Sequence, residues 1–268
     1  MTAGDVVERV RKNLGVPWRE TTFRDTFKAG GPDTTVTGIA TTVFASFDMI
    51  QRAVAAGLNM IVPHEVTFWN DRDDVSIVSA DPLYREKADF LTRHNVVIFR
   101  MHDHMHDQRP DFTYVGSARE LGLEAKYETA PGSHRFIVPE TTLGALAGAV
   151  QRRLGARALR VVGDPNARIS RIQLGVGYAT PAVNSAEIDV VISGEQQEVD
   201  GFLDSPEYVL DAASLGIPKG WIMLGHAVSE ESGMLEMAQW LRSFVPEVPV
   251  QLVKAGEPFW APPFGPTK

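Results

Sequence analysis

The sequence predicts an α/β protein of two related, intertwined βαβ-type halves, with mostly parallel or mixed sheets covered by helices. Three observations carry that reading. Short apolar, β-branched runs alternate with segments of helical periodicity, the pattern of parallel βαβ units. The order of elements then repeats in the second half of the 268 residues. Finally, in each half two apolar runs lead directly into histidine or carboxylate, and ligands of α/β sheets bind beyond the carboxyl ends of strands.

The elements follow in order. Val6, Val7, Val10 and Leu14 recur at helical spacing, so a helix begins near Asp5. VTGIATTVFA (36–45) is a buried strand, and FDMIQRAVAAG is a helix stopped by Gly57. NMIVP is a strand. DPLYREKADFLTRHN is a helix with Pro82 in its first turn. NVVIFR is a buried strand, and FTYVGSARELGL a helix. RFIVP and RALRVVG are strands flanking the helix TTLGALAGAVQRRLG. RISRIQLGVG, EIDVVIS and WIMLG are strands, with SPEYVLDAASLG a helix between the last two. SGMLEMAQWLRSFV is a helix, and VPVQLVKAG closes with a strand. Two domains are expected, 1–125 with the PHE and MHDHMH motifs and 126–268 with SGE and GHAVSE. GLNMIVPHE, ending at Glu65, parallels EIDVVISGE, ending at Glu195; NVVIFRMHDHMH parallels GWIMLGHAVSE.

Composition narrows the chemistry. There is no cysteine, which excludes disulfide scaffolds, thiolate metal sites and cysteine nucleophiles. The formal charge is −8, without basic clusters, so nucleic acid is not an expected partner. No apolar run nears the ~20 residues of a membrane span, and the N-terminal segment lacks the apolar core of a signal peptide. A soluble cytoplasmic protein is expected.

The seven histidines are the informative residues. His102, His104 and His106 fall in MHDHMHD; on an extended segment they would point the same way. Three imidazoles on one face repel when protonated and leave nitrogens unsatisfied when buried, whereas a divalent ion satisfies them. His226 and Glu230 stand four apart and share a face if a helix begins there; an N-terminal capping cluster with Ser229 is the alternative. His64 and Glu65 end a strand; as neighbours they can both ligate only in a turn or by bridging two ions. His94 at a helix end and His134 in a polar turn read as structural. Gly175 and Gly177 in LGVGY offer backbone N–H groups to an anion, a weak signal without further glycines. Trp69, Phe68, Phe259 and Trp260 are candidates for a pocket lining, with packing the simpler account.

Taken together, PHEVTFW, RMHDHMHD, SGEQQ and LGHAVSEESGMLEMAQWL resemble the Nif-three-like family, also labelled GTP cyclohydrolase I type 2 homologues. The likeness runs over nearly the whole chain, including Leu121-Gly122, TTLGALAGAVQRRLGARALRVVGDP and LGVG. The family's Gly-His-x-x-Ser/Thr-Glu motif is matched by Gly225, His226, Ser229 and Glu230. The resemblance implies a dinuclear His/carboxylate metal centre in a two-half α/β fold, often assembled as a ring-shaped homohexamer. By the same resemblance His64 matches the first of a pair of histidines, whose second is replaced by Glu65. His102 matches the next motif's histidine, and the aspartate four residues on is replaced by His106. The exchange conserves ligand number and charge. The metal ligands the resemblance implies are His64, Glu65, His106, His226 and Glu230, holding two ions of Zn, Mn, Fe or Ni. With Glu230 bridging the ions, water between them would be the nucleophile of a hydrolase, Glu195 a general base, and His102 a group orienting water or a ligand. The alternative is a non-enzymatic metal-binding scaffold or partner-binding ring.

Overall fold

The structure, a computed structural model, describes residues 1–124, 133–179, 181–196 and 206–262. It divides into two compact units: Met1–Phe112 with Gly233–Ala255, and Thr113–Ser232 with Gly256–Lys268. The sequence-read boundary at 125/126 and Gln197 of SGEQQ lie outside the described residues.

Unit 1 opens with α1 (Ala3–Asn13), where Thr2 and Asp5 form a reciprocal capping box and Val6, Val7 and Val10 are buried. Its sheet joins β1 (Phe27–Ala29), β2 (Ile39–Thr42), β3 (Met60–Pro63), β4 (Val97–Phe99) and β10 (Val250–Leu252). The order is β1-β4-β3-β2-β10, parallel throughout except for the antiparallel edge strand β1. Two helices, α2 (Phe47–Ala55) and α3 (Pro82–Arg93), cover one face. Met49, Ile50 and Ala53 of α2 and Leu91 of α3 pack there against Ala40, Ile61 and Ile98 of three adjacent strands. Each such fully buried Ile or Met contributes roughly 1.5–3 kcal/mol. Strand pleating turns the neighbouring Thr41 the other way, and its hydroxyl donates to the Met234 carbonyl at 2.8 Å.

Unit 2 carries β5 (Arg135–Thr142), β6 (Arg160–Gly163), β7 (Arg168–Leu174), β8 (Val190–Ser193) and β9 (Gly220–Met223) in the order β5-β7-β8-β9-β6. The central three strands are parallel and both edges antiparallel. Alternation sorts the side chains. Val190, Ile192 and Ile222 join Ala118 of α5 (Phe112–Glu120) and Leu143, Ala147 and Val150 of α6 (Leu143–Leu154). Val191, Trp221 and Met223 pack against Val209 of α7 (Pro206–Ser214). Trp221 donates its indole N–H to Ser193 Oγ at 2.7 Å, satisfying a fully buried donor.

Two elements differ from expectation. The closing strand VPVQL pairs in parallel with β2 in the first sheet, Val250 opposite Ile39, rather than completing the second half. The last helix, α8 (His226–Arg242), begins six residues before SGMLEM and spans the boundary at Ser232/Gly233.

Candidate metal centre

Each unit carries its own group of histidine and carboxylate side chains. In both, the group stands at the carboxyl ends of the two parallel strands that follow the first, where the backbone leaves the sheet.

In unit 1, the chain bends after β3 at His64 and Glu65, with the His64 N–H donating to Thr42 O and the Glu65 N–H to Val43 O. After β4 it enters α4 (Asp103–Asp107), for which His102 is the N-cap. This corrects the extended reading of MHDHMHD. A helical turn puts His102 and His106 on one face and sends His104 elsewhere. The buried Asp25 enforces the turn: Oδ1 accepts the N–H of His102 at 2.6 Å and of Asp103 at 3.0 Å, and Oδ2 that of His104 at 2.9 Å. His104 is a core residue. Its Nδ1 contacts Asp25 Oδ2, its Nε2 accepts the Arg19 N–H at 2.8 Å, and its ring stacks on Trp18.

His64, His102 and His106 converge, with one ligand atom of each lying within 4.8 Å of the others. Partners fix the tautomers. Nδ1 of His64 faces the Met101 carbonyl at 3.2 Å, that of His102 faces Asp103 Oδ1 at 3.0 Å, and that of His106 faces Asp111 Oδ2 at 2.8 Å. Each Nδ1 therefore donates, and Nε2 is the ring atom each imidazole turns toward the others. Nε2 of His64 and of His106 stand 3.1 Å apart. Two ring nitrogens at that distance are drawn together by a proton or cation between them, and two nitrogens bound to one ion at ~2.0–2.1 Å are separated by at most about 4.2 Å. The donor set fits a divalent metal, and Asp103 and Asp111 are the outer carboxylates that orient its imidazoles. Burial works to raise the Asp103 carboxyl, but hydrogen bonds from Thr22 and His102 and the charge of Arg24 outweigh it and hold it down to about 2. It is thus an anion wherever the protein is folded near neutrality.

Glu65 adjoins the trio, Oε1 lying 3.5 Å from His102 Nε2. Its Oε2 accepts from Arg100 at 2.8 Å. Arg100 is fully buried and also donates to the carbonyls of His64 and Asp71 and to the Asp71 carboxylate.

In unit 2, Glu195 follows β8 and His226 opens α8. Glu195 Oε1 lies 3.0 Å from His226 Nδ1, and Glu230 Oε2 3.2 Å from His226 Nε2. The helix supplies the shared face that the four-residue spacing predicts. Ser229 sits behind them: its hydroxyl donates to the His226 carbonyl at 2.7 Å and accepts the Gly177 N–H at 2.9 Å. The glycine turn is therefore a close-approach device, and the Gly177 N–H is engaged by protein. Gly177 has φ +54°, and a Cβ there would meet Glu230 Oε1 at 2.2 Å.

Every sequence-predicted site residue thus stands in one of two clusters: His64, Glu65, His102 and His106 in unit 1, and Glu195, His226 and Glu230 in unit 2. Sequence reasoning missed Asp25, Arg100 and Asp111. Asp111 alone left a local signal, an acidic residue five positions after His106. His94 caps the end of α3 and leans on Phe90, and His134 stacks on Tyr114. Phe68 is partly buried against the unit 1 core, whereas Trp69, Phe259 and Trp260 are exposed.

Fold and donor set together define a two-unit α/β protein with histidine and carboxylate groups suited to a divalent metal. The chain belongs to the Duf34/NIF3 (NGG1p interacting factor 3) family, whose model matches residues 1–257. It is 24% identical over 245 residues to a "GTP cyclohydrolase 1 type 2 homolog" of Chlamydia pneumoniae, covering 87% of this chain and 89% of that one. Among solved structures it resembles a hypothetical protein of Staphylococcus aureus, with a TM-score of 0.72 and 16% identity over 98% of this chain and 99% of that one. A Bacillus cereus protein related to NIF3 gives a TM-score of 0.69 at 13% identity, over 98% of each chain. Among the described residues, no helix is long and apolar enough to cross a membrane.

Proposed function

We propose that the protein is a divalent-metal-dependent hydrolase carrying two ions. The observation that supports this most directly is the facing pair of ring nitrogens, His64 Nε2 and His106 Nε2, 3.1 Å apart with both Nδ1 positions engaged. In this reading His64, His106 and Glu65, joined by His102, hold one ion. His226 and Glu230 serve the second. When bound, such ions acidify water and polarise the oxygen of a phosphoester or amide. The side chains do the rest. Asp103, Asp111 and the Met101 carbonyl keep the unit 1 imidazoles in the ligating tautomer. Glu195 Oε1 fixes His226 through Nδ1–H, and its half-exposed carboxylate is the group placed to take a proton from water. His102 orients water or ligand beside Glu65. Assembly into a homo-oligomer, a hexamer by family resemblance, belongs to the same proposal.

The test is metal content and turnover. Protein produced in zinc-, manganese-, iron- or nickel-supplemented medium is expected to carry about two ions per chain by mass spectrometry. His106→Ala or His64→Ala is expected to weaken binding about tenfold or more. Chromogenic phosphomonoester, phosphodiester and ester substrates, together with GTP, which the name of the Chlamydia relative suggests, form the turnover panel. Stoichiometric metal without turnover would favour a metal-binding scaffold. Metal-free protein from every supplemented medium would overturn the reading.

A further inference from the structure

Unit 1 contains a cavity of about 530 Å³ between β1, α3 and the loop before α3. None of the metal-site residues lines it. That volume suits a small organic ligand. Its walls include Phe27, Phe68 and Tyr84, with Phe68 and Tyr84 edge-to-face at 5.2 Å.

Three charged residues also line it: Lys28, Arg72 and Asp73. Two of them cancel. Lys28 and Asp73 are buried, with Nζ and Oδ2 4.0 Å apart. Lys28 donates to the Phe23 carbonyl at 2.7 Å, and Asp73 Oδ1 accepts the Thr67 and Phe68 N–H groups at 2.8 Å each. Asp73 holds a left-handed backbone, φ +52°, to do so. This pair is committed to fixing the loop. Arg72 is different. It is exposed, and its guanidinium lies 4.6 Å over the Phe23 ring without a carboxylate partner among the described residues. The lining therefore carries one uncompensated positive charge beside an aromatic cavity. An arginine held on an aromatic face keeps its fork of donors available for a carboxylate.

We propose that this cavity binds a small aryl carboxylate, its ring among Phe27, Phe68 and Tyr84 and its carboxylate on Arg72. The site is independent of the metal ligands and of the hydrolase reading.

The probe is indole-3-acetate, titrated calorimetrically into the full-length protein, with indole-3-acetamide as the neutral isostere. Binding of one acetate per chain is expected, with the amide and the Arg72→Gln variant each weaker by about tenfold or more. Ala88→Trp, which fills the cavity from α3, is expected to abolish binding while metal content is unchanged; Ala88→Leu serves if that variant does not fold. Absence of acetate binding overturns the proposal. So does equal affinity for the amide, or full binding by both Arg72→Gln and the filled variant.

Discussion

The two units place chemically similar residues at matching steps of their sheets but set their charges differently. Glu65 stands two residues beyond β3 and Glu195 two beyond β8; His102 stands three beyond β4 and His226 three beyond β9. Each histidine then has a potential ligand four residues on, His106 or Glu230. The residue directly after the strand differs: it is Arg100 in unit 1 and Leu224 in unit 2. Arg100 clamps Glu65, so unit 1 presents its imidazoles beside a compensated carboxylate. Unit 2 has an apolar core residue at that step, and Glu195 remains half exposed beside His226. One repeated scaffold thus offers two electrostatic settings, decided by a side chain that is not itself a ligand.

The most severe way to break this contrast is Arg100→Leu, which gives unit 1 the residue of unit 2. It leaves Glu65 buried without its cation and orphans the interactions to Asp71 and His64. A loss of about 3–5 kcal/mol is expected by denaturant unfolding. Partial recovery on adding Glu65→Gln would locate the cost in the carboxylate, and unaltered stability of the single variant would discredit the clamp.

A second, smaller contrast lies in two lysines, Lys87 partly buried and Lys219 buried. Lys87 in unit 1 donates to the carbonyls of Ala45 and Thr67, and Lys219 in unit 2 to those of Ser185 and Ile188. Burial lowers both, with a partial pull back upward from Asp73 on Lys87 and from Asp189 on Lys219; Lys87 is brought to about 8. The unfolded ammonium titrates near ~10.4. Between these values the unfolded state binds the extra proton, so stability rises with pH through that window and is flat below it. Folding free energies from pH 7 to 10.5 are expected to show a gain of about 3 kcal/mol that Lys87→Met lacks. A variant with the same slope as the parent would remove the assignment.

The mildest change, Gly177→Ala, sharpens the unit 2 half of the comparison. A left-handed backbone and a clash with Glu230 predict a loss of about 2 kcal/mol, and the shifted carboxylate should perturb the His226 imidazole resonances. Unshifted resonances would mean that the glycine turn does not shape the pair.

Much of this was legible in the sequence, for identifiable reasons. Four-residue strands such as MIVP and VVIS are buried throughout, so their apolar runs announce themselves. The helix periodicity of α3 and the caps at Asp81 and Thr142 are local signals. The His226/Glu230 pair was readable because helical spacing is a property of the chain alone. What stayed hidden depends on distant partners. MHDHMHD has no apolar periodicity, and Asp25, 77 positions before His102, makes it helical. β1 is three half-buried residues with no alternation to read. The closing strand was visible as a strand, but nothing local says which sheet receives it.

That last strand also bears on the order in which the polypeptide matures. All five strands of the second sheet lie between Arg135 and Met223, in one uninterrupted stretch. The first sheet has to wait for Val250 to reach Ile39, and Thr41 for a carbonyl 193 residues downstream. On a translating ribosome, the stretch that emerges second can therefore close its sheet first, while the earlier one stays an open-edged intermediate until the segment around Val250 has been made.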